Sequence, residues 1–456
     1  QVRKIVLLGM AAGALVGGCA LRDPPASEDV RAQALPGVVT PNAWRAPGAA
    51  SDPLDAHWLA TFNDAALNAL VDEALAHNPD LQASAARVQQ AAAYVESASA
   101  SLFPQLSAMG NSSGKSTGSS GLNYGGLFAS WELDVWGRVR AGREAAQLQL
   151  LSAELADRYA RQSLAAMVAR AWFLASEARL QKGLAEEMVK SSEALVRVAG
   201  ERARVGVGDS YDLAVARASL ASYRDVAQQM DLAWRQSVQA IETLLGRYPA
   251  AELEVPARLP RLPAPVPAGL PSELLERRPD VVAAERRVAS AFYLVEEAKA
   301  ARLPTLSLNA SGSTLSSDLL LLKERDDWVW GYGGRIVAPL YLGGSLKAQI
   351  RLRTAEQDEA IADYGRAGAA AFADVEKTLA ASTTLQAREP LLAEAVSEGE
   401  RALAMARKRY EVGVDDLRSV EQQQLQLAAA RTALLRVQGE QLAQRVNLHL
   451  ALGGDF

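Results

Sequence analysis

Five acids and one thiol occupy positions where chemistry could reside. Asp209 follows a glycine turn in RARVGVGDS, and Asp415 and Asp416 follow another in RKRYEVGVDDL. Glu132 and Asp134 precede a basic run in SWELDVWGRVRA, while the lone thiol, Cys19, ends an apolar run in LVGGCA. An aspartate just past a reversing glycine can cap the next helix by accepting its free amides. A cysteine behind an apolar run and two small residues suits lipid attachment. Catalysis has no comparable constellation. His57, His77 and His449 lie far apart in sequence and offer no zinc spacing. No glycine-rich loop stands between a strand and a helix to cradle phosphate, and the remaining acid pairs read as solvated helix faces. The expectation is a protein that is not an enzyme, with no catalytic residue, metal or cofactor.

The N-terminus implies export. Arg3 and Lys4 precede an apolar run, Ile5 to Val16, too short to span a bilayer as a helix. Residues 1–18 therefore read as a lipoprotein signal peptide, cleaved so that a lipidated, palmitate-bearing Cys19 becomes the first residue. Ala20, where an aspartate would signal inner-membrane retention, favours the outer membrane. One cysteine excludes an intramolecular disulfide. The formal net charge of −5 argues against nucleic acid. Apolar residues make up 49% of the chain but aromatics only 6%. Alanine supplies much of the difference and favours long, closely packed helices.

The elements that must position these groups are written twice. NPDLQASAARVQQAAAYVESASASLFPQLSAMG, from Asn78, matches RPDVVAAERRVASAFYLVEEAKAARLPTLSLNA, from Arg278, at an offset of 200. VGVGDSYDL at Val205 matches VGVDDLRSV at Val412 at an offset of 207. A period this long is a duplication, not a solenoid. The expected divisions are an N-terminal lipidated segment with a short helix at 19–78, a first repeat at 79–246, a proline-rich linker at 247–271 and a second repeat at 272–456. Each repeat reads as helix, strand, strand, long helix, helix. The long helices are expected at about Gly137–Val205 and Gly343–Val412, roughly 100 Å each at 1.5 Å per residue. Pro390 should kink the second or break a turn of it.

Period two governs the strands. Leu127, Ala129, Trp131 and Leu133 alternate with Phe128, Ser130 and Glu132, and Trp328, Trp330, Tyr332 and Ile336 with Val329, Gly331, Gly333 and Arg335. A half-buried antiparallel sheet with one wet face is the plain reading. Export to a membrane and very long helices favour another: outer-membrane barrel strands. Trp131, Trp136, Trp328, Trp330 and Tyr332 then suit an aromatic girdle, and Glu132, Asp134 and Arg335 a watery lumen. Four strands cannot close a barrel, since bacterial barrels have about 8 or more, and open edges are not tolerated in lipid. Several copies must therefore share one barrel.

SWELDVWGRVRA, VPAGLPSELLERRPDV (Val266–Val281) and the paired VGV turns resemble the outer membrane factor family, TolC-like in fold. Within it the chain is similar to the lipoprotein branch serving resistance–nodulation–division efflux pumps. The resemblance implies a mainly α chain with four transmembrane β-strands and long paired helices. Its homotrimer would form a twelve-stranded β-barrel and a twelve-helix α-barrel, with the terminal and linker segments in an equatorial belt. It implies a passive, multidrug exit duct in the outer membrane for small amphiphilic compounds, extending into the periplasm and gated at its periplasmic tip. Partners would be outer-membrane lipid, a periplasmic adaptor (membrane fusion) protein and an inner-membrane pump. Asp415 matches the acidic ring that lines the family's tip; Asp416 and Asp209 are weaker transfers. Arg409 and Tyr410 would tether the closed iris. Val205, Gly206, Val207, Val412, Gly413 and Val414 would meet the adaptor. Alternatives are a type I protein-secretion outlet and a non-conducting structural periplasmic coiled-coil lipoprotein.

Overall fold

Alanine-rich periodic segments become helices and alternating segments strands, in the expected order. The computed structural model describes residues 22–38, 40–46, 57–111, 123–206, 208–316 and 325–454. The signal segment, Cys19 and Val207 lie outside the described residues. The helices are α1 (Ser27–Ala34), α2 (Ala65–His77), α3 (Pro79–Ala100), α4 (Arg138–Arg204), α5 (Ser210–Leu244), α6 (Leu274–Arg277), α7 (Pro279–Ala300), α8 (Ser345–Glu411) and α9 (Leu417–Ala451). The strands are β1 (Gln105–Asn111), β2 (Asn123–Leu133), β3 (Thr305–Ser316) and β4 (Arg325–Val337). Corresponding helices have equal lengths: 22 residues for α3 and α7, 67 for α4 and α8, 35 for α5 and α9. Each 22-residue helix opens on a proline, whose missing amide costs nothing at that position.

Two compact units draw on both halves of the duplication. The first holds Ala85–Ala156 and Asp280–Gly368 with the N-terminal segment to Val38; the second holds Val39–Ser84, Asp157–Pro279 and Ala369–Phe456.

In the first unit the strands form one antiparallel sheet in the order β1-β2-β3-β4. Its register sorts the faces. Leu106 pairs with Ala129, Ala129 with Ala310 and Ala310 with Tyr332. Trp131 pairs with Leu308, Leu127 with Gly312, Gly312 with Trp330, and Leu306 with Ile336. Directly paired residues share a face, so the apolar positions of all four strands make one continuous surface. The other face carries the row Glu132, Ser307, Arg335 and the row Ser130, Asn309, Gly333. Gly312 lets the Trp330 ring lie close: a Cβ there would stand 2.8 Å from it, and the ring would have to shift. Below the sheet, α4 and α7 approach through small residues. Ser290 donates to the Ala145 carbonyl and Ser152 to the Ala283 carbonyl, each at 2.9 Å, among fully buried Ala141, Ala145 and Ala283.

The junction of β2 and α4 explains why acids precede a basic run. The Asp134 carboxylate accepts from the Val139 and Arg140 amides, both at 2.9 Å, and so satisfies the free donors of the α4 N-terminus. Glu132 pairs with Arg138 at 2.8 Å. Trp136 lies past the end of β2 and its indole donates to the Pro304 carbonyl at 2.6 Å.

In the second unit Trp58, Phe62, Leu67, Val71, Trp172, Phe173, Ile241 and Val446 form the core. Asp64 caps α2 through the Ala66 and Leu67 amides and accepts from the Trp172 indole at 2.8 Å. The proline-rich linker is anchored by Glu242, 3% exposed, which accepts from the amides of Ala251, Glu252 and Leu253. Of the kink or break expected at Pro390, the break does not occur: α8 is a continuous helix through it. Pro390 and Gln386, whose carbonyl loses its partner, are both exposed, so water can satisfy that carbonyl.

Candidate functional site at the paired turns

Two helix reversals in the second unit bring the glycine–aspartate motifs together. Helix α4 ends with the Val205 amide donating to the Glu201 carbonyl at 3.0 Å, and α8 with the Val412 amide donating to Lys408 at 3.2 Å. Gly206 and Gly413 then both take φ +76°, the left-handed conformation that suits glycine at a helix C-terminus. The next helices begin on aspartate caps. Asp209 accepts from the Tyr211 amide at 3.1 Å, and Asp416 from the Ser419 amide at 3.0 Å. The capping expected for both aspartates is therefore present. Val205, Val412 and Val414 are exposed around the turns.

The second turn carries more charge. Asp415 faces Arg409 at 3.3 Å and accepts from the Ser419 hydroxyl at 2.9 Å. Asp416 pairs with Arg418 at 2.8 Å. The Asp416 carboxyl is held below its ordinary range, first by the Ser419 amide and then by Arg418. Both aspartates thus present negative charge beside guanidinium groups that are themselves exposed.

Tyr410 departs from the tether expected of it. Its side chain is 3% exposed, in a cluster with Leu195, Ala199, Leu403, Leu417 and Val420 of its own chain. A ring so covered holds its own two turns together. The partner is Arg202, which sequence reasoning did not single out. Its guanidinium donates to the Tyr410 carbonyl at 2.7 Å and lies 4.8 Å from the ring centre, a cation–π contact. Burial raises the Tyr410 hydroxyl above its ordinary pKa, and Asp212 adds to this while Arg202 opposes it. The only sequence signal for Arg202 was its place in RARVGVGDS, equivalent under the 207 offset to Arg409.

The remaining expected residues lie in or beside the sheet. Trp328, Trp330 and Tyr332 project outward from β4, with Tyr332 96% exposed, and the first two rings stack at 6.2 Å. Trp131 shares their face and donates to the Leu102 carbonyl at 2.9 Å. Arg335 sits on the opposite, polar face and is exposed.

A sheet with one largely apolar face, joined to 67-residue helices reversed at glycine turns, defines an outer-membrane channel chain of TolC-like fold. The sequence model described as outer membrane efflux protein matches residues 70–247 and again 270–454, and the chain belongs to that family. It is 32% identical over 411 residues to the probable efflux pump outer membrane protein TtgC of Pseudomonas putida, spanning 88% of this chain and 85% of that one. It resembles the crystal structure of the Campylobacter jejuni CmeC outer membrane channel with a TM-score of 0.84 at 24% identity, over 96% and 94% of the two chains. It also resembles the open state of the Neisseria gonorrhoeae MtrE outer membrane channel, with a TM-score of 0.78 at 28% identity over 95% and 97%. The protein is an outer-membrane channel of an efflux system.

Proposed function

We propose that three copies of this chain close one water-filled duct that carries drugs and other small amphiphilic compounds outward, without catalysing any reaction. The observation that carries this reading is the sheet. Its apolar face is continuous across four strands, while β1 and β4 each pair on one side only among the described residues. In lipid those outer edges need partners, and three fours make a closed twelve-stranded barrel. Trp131, Trp328, Trp330 and Tyr332 then belt the barrel, with Trp136 just past the strand end, and Glu132 and Arg335 lie on the wet face, while Asp134 serves as the cap of α4. Cys19 carries the lipid anchor after removal of residues 1–18. Residues 19–78 and the linker 247–271 form the equatorial region between the repeats 79–246 and 272–456.

The turns form the periplasmic aperture. Asp415 and Asp416, and more remotely Asp209, gather around the symmetry axis, where like charges attract cations. Arg409 restrains Asp415 while the aperture is closed. Val205, Gly206, Val207, Val412, Gly413 and Val414 receive a periplasmic adaptor, and an inner-membrane pump of the resistance–nodulation–division type supplies the energy. Purified protein in planar bilayers should conduct and prefer cations. Asp415→Ala combined with Asp416→Ala should lower that preference. Unchanged selectivity would remove the acidic ring from the mechanism, and absence of conductance would remove the duct.

A further inference from the structure

Two offsets relate the repeats residue by residue in the structure as well as in the sequence. An offset of 200 carries α3 onto α7 and the start of β1 onto the start of β3. An offset of 207 carries α4 onto α8, and Gly137, at φ +75°, onto Gly344, at φ +86°. Strand pairing obeys the same two offsets, since Gln105 faces Ser130 in the first repeat and Thr305 faces Val337 in the second. One seam joins the repeats within the chain, β2 against β3. There Leu133 faces Leu306, Trp131 faces Leu308 and Ala129 faces Ala310. Among the described residues the counterpart of β2, which is β4, and the counterpart of β3, which is β1, each have a bare outer edge.

Under the offsets, Leu133, Trp131 and Ala129 become Leu340, Ala338 and Ile336, while Leu306, Leu308 and Ala310 become Leu106, Ala108 and Gly110. Leu133 and Leu306, paired across the internal seam, are half-buried. Their counterparts Leu340 and Leu106 are 94% and 72% exposed. Residues 338–340 follow β4 without a strand partner, although their counterparts, residues 131–133, are strand. We propose that neighbouring copies pair β4 of one with β1 of the next in the register of the internal seam. Leu340 then faces Leu106 of the partner subunit, Ala338 faces the partner's Ala108, and Ile336 faces the partner's Gly110. Residues 338–340 join β4 as strand when the copies meet. This rests on the shared barrel and adds the alignment of its seams. A slip of one residue would set the apolar positions of one strand against the wet positions of the other. Among the registers that keep the faces matched, the internal seam selects this one.

Cysteine pairs in the full-length protein, oxidised in outer-membrane vesicles and run on non-reducing gels, test the register. Ala338→Cys with Ala108→Cys should give covalent dimers and trimers. The displaced pairs, Ala338→Cys with Leu106→Cys or with Gly110→Cys, should do so at least about tenfold less. Directly opposed Cβ atoms lie about 5 Å apart and diagonal neighbours about 7 Å, beyond the reach of a disulfide. Should the first pair fail to reach the membrane, Leu340→Cys with Leu106→Cys reads the same register. Leu133→Cys with Leu306→Cys, across the internal seam, should close within one chain and controls for oxidation. Single-cysteine variants, which keep Cys19, should give no ladder. Stronger cross-linking of a displaced pair would overturn the register and leave the shared barrel standing. No ladder from any pair, where the internal pair closes, would overturn the seam and the shared barrel together.

Discussion

The two turns share a backbone and differ in what their arginines do. Under the offset of 207, Arg202 is equivalent to Arg409, Ala203 to Tyr410, Gly206 to Gly413, Gly208 to Asp415 and Asp209 to Asp416. Both glycines take the same φ, and both second aspartates cap. Yet Arg409 stays within its own turn, paired with Asp415, whereas Arg202 crosses to the other turn. The cause is position 208. A Cβ on Gly208 would lie 2.8 Å from the Arg202 side chain and 2.9 Å from its backbone carbonyl carbon, so no carboxylate can stand there. With no acid at position 208, Arg202 instead meets the Tyr410 carbonyl and ring. Duplication preserved the geometry that reverses the chain, and one position decided which half became the clamp and which the charged rim.

The largest effect should come from removing the clamp's anvil. Tyr410→Ala leaves a cavity among Leu195, Leu403, Leu417 and Val420, which costs about 3–4 kcal/mol for a buried aromatic. Hydrogen exchange should show the amides of both turns opening together, because Arg202 loses its ring partner at the same moment. Exchange confined to residues 412–416 would mean that the two turns are independent, and the comparison would fail.

Next in size are the two equivalent arginines. Arg202→Met removes a charged hydrogen bond and a cation–π contact, worth about 2 kcal/mol together. Arg409→Met removes an exposed ion pair, its guanidinium 60% accessible, and should cost below about 1 kcal/mol. Thermal melts of the two variants rank them directly. A reversal of that order would assign the clamp to the wrong arginine.

Periodicity made the helices, the strand faces and the turns readable, because each depends on neighbours within a few residues. Leu127, Ala129 and Trp131 had to share a face whatever they paired with, and Gly206 and Gly413 had to reverse the chain. The Arg202–Tyr410 contact depends on residues 208 positions apart, and nothing local distinguishes an inward tyrosine from an outward one on a helix surface. Glu132 and Asp134 were read as one strand's wet face. The structure adds that Asp134 lies just past the strand and caps α4, a role visible only once the junction is built. The proline rule is local too, and at Pro390 the helix stays unbroken because water can serve the exposed Gln386 carbonyl.

The smallest effect concerns the caps, and at Asp416 it should be full at neutral pH and fade in acid. Asp209→Ala and Asp416→Ala each strip a helix of one amide acceptor. The Asp416 carboxyl is held below its ordinary range, by the Ser419 amide and then Arg418. A carboxyl that releases its proton more readily when folded contributes fully above the unfolded carboxylate range, and that contribution fades as pH falls through the lower folded value. The destabilisation caused by Asp416→Ala should therefore be constant near neutrality and shrink on acidification into the region below the ordinary aspartate range. Salt should weaken it as well, since Arg418 is exposed. Melting curves of the wild type and Asp416→Ala across that pH range, at low and high salt, measure both. A gap that widens in acid would mean that protonation of Asp416 is favoured by the fold, and the charged rim assigned to the second turn would then be neutral where the duct needs it charged.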